Sequence, residues 1–389
     1  MSAIALNNVM LSERDALPRM GEGSGGGEPR TAQSAAPKAT ALVMAGGTGG
    51  HIFPGLAVAE ALRERGWRVH WLGNQGGMEG KLVPPRGFAF ESIDFGGVRG
   101  KGPLTLALLP LRLLKAFWQS IQVVRRVKPD VVLGLGGYIT FPGGMMGVLL
   151  GKPLLLHEQN SVAGLANKVL AGVADRVFTA FPNVMGRGQW VGNPLRAAFL
   201  QQSAPAQRFA GRSGPLRLLV VGGSLGAKAL NEVVPRALAL MPPEQRPQVI
   251  HQSGATQIDA LRANYQAVGV QAELTPFIDD TARAFAEADL ILCRAGASTV
   301  TEIAAVGAAA VFVPFPAAVD DHQTTNARFL VDQGAGLLLP QQDMTAERLA
   351  ELLQNTDRKT LLQWAQQAQK LAKTEATAQV VAACEELAR

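Results

Sequence analysis

Cysteine is scarce in this chain of 389 residues, which contains only Cys293 and Cys384. Two isolated cysteines make neither a disulfide framework nor a zinc-binding pattern, and they are typical of a reducing compartment. Aromatic residues make up 6% of the chain and charged residues 17%, against a usual charged share of ~25%. Because 47% of the residues are hydrophobic, the chain can build substantial cores, which excludes global disorder.

Two targeting signals are also missing. The N-terminus lacks a basic region followed by an apolar stretch, so no secretory signal is predicted. Residues 131–151 are uncharged, but their seven glycines and Pro142 fit a strand, a loop and a helix start better than a membrane span. Residues 1–38 include a glycine-rich run and are predicted to form a flexible tail outside the fold.

Two common nucleotide-binding motifs are absent as well. No Gly-x-x-x-x-Gly-Lys-[Ser/Thr] P-loop occurs in the sequence. A dinucleotide fingerprint starting at Gly47 would need a glycine where Ile52 stands, and an acid after the second strand, where the chain reads Gly73-Asn74. A nicotinamide cofactor is therefore not expected.

Glycine, in contrast, is abundant, and many of the 43 glycines stand between an apolar strand and a helix. A strand at 41–44 leads into a glycine-rich loop and a helix, and the same pattern restarts at 216–221. Strands that alternate with helices predict parallel sheets. We therefore expect an α/β fold of two similar doubly wound domains in tandem, connected through 192–214.

The net charge of +6 is concentrated in one segment, since residues 95–129 hold seven bases and no acid. Leucines are interleaved with these bases, which favours a helix on an anionic membrane face over a nucleic-acid site. A core helix with solvated bases is the alternative. The residues predicted to face the membrane are Leu108, Leu111, Arg112, Lys115 and Trp118.

Two glycine-rich loops in the first half, at 46–51 and 134–138, each follow a strand. Backbone amides in such loops can bind anions, so two adjacent loops suit a diphosphate, although simple chain reversal is the alternative. The residues predicted to hold that diphosphate are Gly47, Gly136, Gly137 and Tyr138. His51 ends the first loop and is a candidate general base, because an imidazole titrates near neutral pH. A histidine that only packs or caps the helix is the other interpretation.

The second half repeats the first loop as Gly222-Gly-Ser224-Leu-Gly226. Two such loops, one in each domain, predict a cleft with a ligand site on each wall. Glu302 is predicted on the first turn of a helix, either bonded to ribose hydroxyls or simply favoured by the helix dipole. The carboxamides of Gln323 and Asn326 suit sugar hydroxyls. The acid pairs at 279–280 and 320–321 are interpreted as helix caps rather than as a metal site.

Six motifs occur together and in one order, at 46–54, 134–138, 157–160, 191–196, 222–227 and 294–326. This ordered set resembles the MurG family of bacterial UDP-N-acetylglucosamine transferases, which act on undecaprenyl-pyrophosphoryl-muramyl-pentapeptide. The resemblance covers about residues 40–389. The chain departs from the family in its tail and at Ala309 and Ala317, where a proline and a histidine are expected.

The resemblance implies a GT-B fold, with two Rossmann-like domains facing across a cleft. Residues 39–195 plus about 374–389 would form the acceptor and membrane domain, and 196–373 the UDP-sugar domain. It implies an inverting transfer in peptidoglycan biosynthesis, from UDP-GlcNAc to the muramyl 4-hydroxyl, with no metal or cofactor. It also implies a peripheral location on the cytoplasmic face of the inner membrane, with cell-wall synthesis proteins as candidate partners and no nucleic acid.

The resemblance also assigns roles to single residues, and it makes His51 the candidate base. The implied donor contacts are Thr48, Gly49, Gly50, Asn160, Arg196, Ser224, Ile278, Ala297, Ser298, Thr299, Val300, Thr301, Glu302 and Gln323. Two alternatives stay open: another GT-B enzyme such as a UDP-GlcNAc 2-epimerase, or a non-catalytic nucleotide-sugar-binding membrane scaffold. The leucine-rich basic segment favours a lipid acceptor over the epimerase, whereas a radiolabelled transfer assay is needed to distinguish the scaffold.

Overall fold

The alternation of strands and helices builds two separate parallel sheets in the computed structural model, which describes residues 36–97, 107–223 and 226–389. The first sheet has seven strands in the order β3-β2-β1-β4-β5-β6-β7. They are β1 (Thr40–Met44), β2 (Arg68–Gly73), β3 (Ala89–Ser92), β4 (Val131–Gly134), β5 (Leu154–Glu158), β6 (Arg176–Thr179) and β7 (Gln189–Trp190).

The second sheet has six strands in the order β10-β9-β8-β11-β12-β13. They are β8 (Arg217–Val221), β9 (Gln248–Gln252), β10 (Glu273–Thr275), β11 (Leu290–Cys293), β12 (Ala310–Phe312) and β13 (Leu337–Leu338). In both sheets the first strand of the half lies inside, and the strand order reverses beside it. The predicted pair of doubly wound domains is therefore confirmed.

Helices connect the strands in each half. In the first half they are α1 (Gly49–Glu64), α2 (Met78–Leu82), α3 (Leu109–Val127), α4 (Thr140–Leu149) and α5 (Leu165–Leu170). The connection contains α6 (Ala197–Leu200) and α7 (Pro205–Phe209). The remaining helices are α8 (Lys228–Leu240), α9 (Ile258–Ala267), α10 (Thr281–Glu287), α11 (Ala297–Val306), α12 (His322–Val331), α13 (Ala346–Asn355), α14 (Arg358–Lys370) and α15 (Ala376–Leu387).

Side chains of β1 alternate between two cores, which is why this strand reads as a continuous apolar run. Ala41 and Val43 pack in one core, and Leu42 and Met44 in the other. The last helix, α15, contributes Val380 and Val381 to the same core as Ala41. The chain thus returns to the first sheet after completing the second.

The basic, leucine-rich segment forms α3, which packs through small and branched residues such as Ala116 and Val124. Its outer face leaves Leu111, Leu114 and Trp118 more than 60% exposed. The sequence indicates a helix from Leu104 to Val127, and the first residues of that range, 104–106, lie outside the described residues. Across the described part of the chain, we find no helix with the length and apolar character needed to span a bilayer.

Candidate functional site

The first glycine-rich loop joins the carboxyl end of β1 to α1. Thr48 is the N-cap of that helix in an extended conformation, and its hydroxyl makes no capping bond. Thr48 is exposed, while Gly49 and Gly50 are partly exposed. The loop therefore presents backbone at the start of a helix, where amide groups lack helical partners.

A buried carboxylate that the sequence analysis missed supports this loop from behind. Glu79 is fully buried, and its side chain accepts hydrogen bonds from the amides of Gly47 and Asn74, both at 3.1 Å. The amide of Gly47 is thus already used. This bond argues against the predicted contact between Gly47 and a diphosphate.

The second glycine-rich loop lies directly against the first, as predicted from their neighbouring strands. Gly136 and Gly137 have φ values of +95° and +82°. A Cβ on Gly137 would stand 2.3 Å from the carbonyl oxygen of Gly46, and one on Gly136 would stand 2.9 Å from Nδ1 of His51. Only glycine permits this approach. Among the described residues, the amides of Gly136, Gly137 and Tyr138 have no hydrogen-bond partner.

His51 lies on the first turn of α1 and is partly exposed. Its Nδ1 is 2.7 Å from Oε1 of Gln159. Nε2 of Gln159 is in turn 2.9 Å from Nδ1 of His157, whose Nε2 is 2.8 Å from the carbonyl oxygen of Gly192. Burial lowers the pKa of His157 to about 4, so this imidazole is neutral at pH 7.

The N-terminus of α11 contributes the second half of the site. Its N-cap, Gly296, has no side chain to satisfy the first amides of the helix, which favours an anion there. Oγ of Ser298 lies 3.5 Å from the carbonyl oxygen of Gly50. This contact brings the predicted donor residues of both halves together.

Glu302 and Arg196 form an ion pair next to this helix start, with 3.7 Å between Oε1 and Nη2. Glu302 is the sixth residue of α11, so the prediction that it lies on the first turn is wrong. Burial raises its pKa to about 7, and Arg196 offsets this only in part. The guanidinium of Arg196 lies over the rings of Phe53 and Phe199, and its buried Nε has no partner within the described residues.

Two of the predicted donor residues in α11 serve the helix and the core. Val300 is fully buried, and its amide donates to the carbonyl oxygen of Gly296. The hydroxyl of Thr301 donates to the carbonyl oxygen of Ala297 at 2.9 Å and accepts from Asn193 at 3.2 Å. The burial of Val300 and the bonds of the Thr301 hydroxyl argue against direct ligand contacts by these two side chains. Ala297 is buried, while Ser298 and Thr299 are partly exposed.

The loop after β5 meets α12 through carboxamides. Oδ1 of Asn326 accepts from the amide and hydroxyl of Ser161 at 2.9 and 2.7 Å, and its Nδ2 is 3.5 Å from Oδ1 of Asn160. Asn326 thus joins the two halves rather than pointing at a sugar. Oε1 of Gln323 accepts from the amide of Phe315 at 2.9 Å, which leaves its NH2 group for a ligand.

The loop after β8 is supported by a neutral side chain. Gln252 accepts from the amide of Gly223 at 3.1 Å and donates to the carbonyl oxygens of Gly223 and Pro276. Ile278 follows this region and is partly exposed. Ser224, a predicted donor contact, lies outside the described residues.

The acid pairs are not arranged as a metal site. Asp280 caps α10 by accepting from the amide of Arg283 at 3.0 Å, as the sequence indicated. Asp321 accepts from the hydroxyl of Thr324 at 2.7 Å. In the part of the chain that the structure describes, no group of three or more His, Cys, Asp or Glu side chains could hold a metal ion.

The exposed face of α3 and its N-cap, Leu108, carry the five residues predicted to contact a membrane. Leu108, Leu111, Arg112, Lys115 and Trp118 are all exposed. Nζ of Lys115, however, lies 2.7 Å from Oδ2 of Asp94, so its charge is partly compensated. Arg112 is the basic residue of this face for which the described residues offer no ion pair.

Two doubly wound halves, with glycine-rich loops at the carboxyl ends of their first strands, define the GT-B class of glycosyltransferase folds. The comparisons with known proteins agree. Residues 41–179 match the glycosyltransferase family 28 N-terminal domain, and residues 217–382 match the C-terminal domain of the same family. The chain belongs to glycosyltransferase family 28.

Relatives and solved structures resemble the chain over almost its whole length. A protein of Polaromonas sp. strain JS666 is 80% identical and covers 90% of this chain and 92% of its own. One of Paracidovorax citrulli is 75% identical, with coverages of 90% and 98%. Both are named UDP-N-acetylglucosamine–N-acetylmuramyl-(pentapeptide) pyrophosphoryl-undecaprenol N-acetylglucosamine transferase. The crystal structure of Acinetobacter baumannii MurG is 42% identical, with a TM-score of 0.77 and coverages of 90% and 99%.

Proposed function

We propose that this chain transfers N-acetylglucosamine from UDP-N-acetylglucosamine to undecaprenyl-pyrophosphoryl-N-acetylmuramyl-pentapeptide, in peptidoglycan biosynthesis. The observation that carries this proposal is the 80% identity to a transferase of that name over 92% of its length. Neither of the two alternatives, an epimerase or a non-catalytic scaffold, has comparable support. The family match defines the enzyme class, and the identity supports the substrates.

The donor is proposed to bind between Arg196, Glu302 and the start of α11. A carboxylate can accept bonds from both ribose hydroxyls, and Glu302 is 13% exposed, enough to be reached by a ligand. The amides at the start of α11 and the guanidinium of Arg196, whose side chain is 39% exposed, suit the negative diphosphate. Thr48, Gly49, Gly50, Asn160 and Gln323 would complete the donor site.

The acceptor is proposed to bind at the glycine-rich loops of the first half. Amides of Gly136, Gly137 and Tyr138 are the groups available to its diphosphate, since Gly47 already donates to Glu79. His51 lies beside them and would accept the proton of the attacking 4-hydroxyl. Since the donor is α-linked and the family product is β-linked, one in-line attack inverts the anomeric carbon without a covalent intermediate.

Stabilisation of the leaving diphosphate is proposed to come from the helix start and Arg196 rather than from a metal ion. Activity should therefore persist in EDTA. A loss of activity that magnesium restores would contradict this part of the proposal.

The two domains are assigned according to the substrate that each is proposed to bind. We propose that residues 39–195 with about 374–389 bind the acceptor and an anionic membrane surface on its cytoplasmic face. Residues 196–373 would bind the UDP-sugar. Packing of α15 in the core of the first sheet and the exposed apolar face of α3 support this division.

A transfer assay tests the proposal directly. Purified protein would be incubated with radiolabelled UDP-N-acetylglucosamine and the lipid-linked acceptor, and the butanol-extractable label measured. The expected result is a labelled lipid disaccharide that forms only with the acceptor. Release of the 2-epimer without acceptor would support the epimerase, and binding without turnover would support the scaffold.

A further inference from the structure

The hydrogen bonds around His51 form a chain in which each group has one possible role as donor or acceptor. The chain begins at the carbonyl oxygen of Gly192, which can only accept. Nε2 of His157, at 2.8 Å, must therefore carry a hydrogen. Because His157 is fully buried and neutral, its Nδ1 has a free lone pair and can only accept.

The orientation of the Gln159 amide follows from this tautomer. Its Nε2 lies 2.9 Å from Nδ1 of His157 and 3.0 Å from the backbone oxygen of His157, and both atoms are acceptors. A flipped amide would place its oxygen against two lone pairs. The NH2 group therefore faces His157, and Oε1 faces His51.

The last link concerns His51 itself. Oε1 of Gln159 accepts only, so Nδ1 of His51, at 2.7 Å, must carry the hydrogen. A neutral imidazole has one hydrogen, so the lone pair is then on Nε2. Gly136 permits this arrangement, because a Cβ there would stand 2.9 Å from Nδ1 of His51 and 3.4 Å from Oε1 of Gln159.

We propose that Gln159 is a positioning residue that holds His51 as the Nδ1–H tautomer, with Nε2 as the atom able to accept a proton. The catalytic value of this role rests on the proposed function of His51 as the base. The tautomer itself does not, because it follows from the bonds alone. A base presented in one tautomer is ready to react in every encounter, whereas a mixture is ready in only a fraction of them.

The Gly192 end of this series of hydrogen bonds lies at the connection between the two halves. A Cβ on Gly192 would stand 2.3 Å from Cβ of Lys373, where the chain returns to the first sheet. The acceptor that fixes His157 thus belongs to packed backbone rather than to a mobile side chain. The series of hydrogen bonds that leads to His51 therefore begins at an acceptor of fixed position.

Nitrogen-15 NMR of the full-length protein tests the proposal without substrate, because the imidazole shifts distinguish the two tautomers. The protein has five histidines, so the His51 signals are assigned by their loss in His51→Gln. In the wild type above neutral pH we expect His51 as Nδ1–H. Finding it as Nε2–H overturns the proposal, whatever the variants at Gln159 show.

Two variants at Gln159 sharpen the test. Gln159→Met removes the acceptor while keeping the length of the side chain, so His51 should shift towards Nε2–H and kcat should fall at least severalfold with little change in UDP affinity. In Gln159→Glu one oxygen stays beside Nδ1 of His51, and the other, which faces the two acceptors of His157, carries the proton of a neutral carboxylic acid. In that form the variant should retain the Nδ1–H tautomer. An unchanged His51 tautomer in Gln159→Met contradicts the positioning role.

The control is His70, whose Nδ1 lies 2.9 Å from Glu91 and whose signals should stay the same in both variants. A failure of the proposed function, in which His51 is not the base, can be distinguished from a failure of the positioning role of Gln159. If His51→Gln retains full turnover while Gln159→Met still changes the tautomer, the positioning inference stands and the proposed base does not.

Discussion

The glycine-rich loops after β1 and β8 have similar sequences, but different side chains support them from behind. In the first half, the fully buried carboxylate of Glu79 accepts from the amide of Gly47 at 3.1 Å. In the second half, the neutral amide of Gln252 accepts from Gly223 at the same distance. In each loop the amide of the second glycine thus donates to a side-chain oxygen. That oxygen belongs to a carboxylate in the first half and to a neutral carboxamide in the second.

This difference suits the two proposed tasks. A negative charge behind a loop weakens anion binding there, and the charge of Glu79 already raises the pKa of Tyr138 in addition to the larger effect of burial. The neutral Gln252 imposes no such cost on a diphosphate in the second half. We therefore expect an anion to bind more favourably at the loop after β8 than at the loop after β1, which carries His51.

The largest effect expected on the first half comes from His51→Ala. Loss of a general base lowers turnover by roughly 10²–10⁴, while the affinity for UDP should stay nearly unchanged because His51 is not among the proposed donor contacts. Steady-state kinetics and calorimetry measure the two quantities. The acidic limb in the pH profile of kcat, measured at saturating UDP-N-acetylglucosamine, should disappear in the variant, and its persistence would show that His51 is not the base.

The corresponding change in the second half is Glu302→Ala. Loss of a hydrogen bond to a charged group costs roughly 1.5–3 kcal/mol, so UDP should bind roughly ten- to 150-fold more weakly. Calorimetry measures this directly. An unchanged dissociation constant would remove Glu302 from the donor site.

The raised pKa of Glu302 adds a pH dependence to this prediction. Ribose hydroxyls donate to an ionised carboxylate, and with a pKa of about 7 a growing fraction is protonated as the pH falls. UDP affinity should therefore weaken below pH 7 by up to about tenfold per pH unit. The free protein is protonated at Glu302 in this range, so UDP binding should release that proton. Since UDP itself titrates, Glu302→Gln serves as the control. Its UDP affinity should keep the pH dependence that comes from UDP and lose the part that comes from Glu302.

Much of this comparison could be predicted from the sequence, because it depends on local patterns. Continuous apolar runs located β1, β4 and β8, and glycines marked the loops that follow them. The contact between the loops at 46–51 and 134–138 followed from the positions of their strands. The four-residue strand β3 and the two-residue strands β7 and β13 have no such continuous run and were missed.

The supporting residues could not be predicted for a physical reason. Glu79 meets Gly47 across 32 residues, and Gln159 meets His51 across 108, so both contacts exist only in the folded chain. Glu79 also stands in a short helix with no glycine-rich motif of its own. Glu302 was misplaced because α11 starts at Ala297, which puts the carboxylate beyond the first turn.

A smaller effect tests the difference between the two supports. Gln252→Glu places a carboxylate behind the second loop and removes the bonds to Gly223 and Pro276, so UDP affinity should fall roughly tenfold, or about 1.4 kcal/mol. Gln252→Met removes these two bonds and also the acceptor of the Gly223 amide, without adding charge. If the two variants bind UDP equally well, a negative charge behind the loop after β8 does not affect UDP affinity. The difference in charge between Glu79 and Gln252 would then not explain different anion binding by the two loops.

The smallest effect concerns the surfaces of the two halves. On the first half, α3 exposes Leu111, Leu114 and Trp118 together with Arg112, and each base near an anionic membrane contributes about 1 kcal/mol. Arg112→Gln should therefore weaken binding to vesicles with anionic lipid roughly fivefold, and high salt should weaken wild-type binding.

A matched control and an opposite change complete this test. Arg236, exposed on α8 of the second half, should tolerate Arg236→Gln without loss of vesicle binding. Asp94→Asn frees Lys115 from its ion pair at 2.7 Å and should tighten binding. Vesicle sedimentation measures all three variants. Equal losses for Arg112→Gln and Arg236→Gln would mean that net charge, and not the face of α3, attracts the protein, because only a local surface distinguishes two arginines of the same charge.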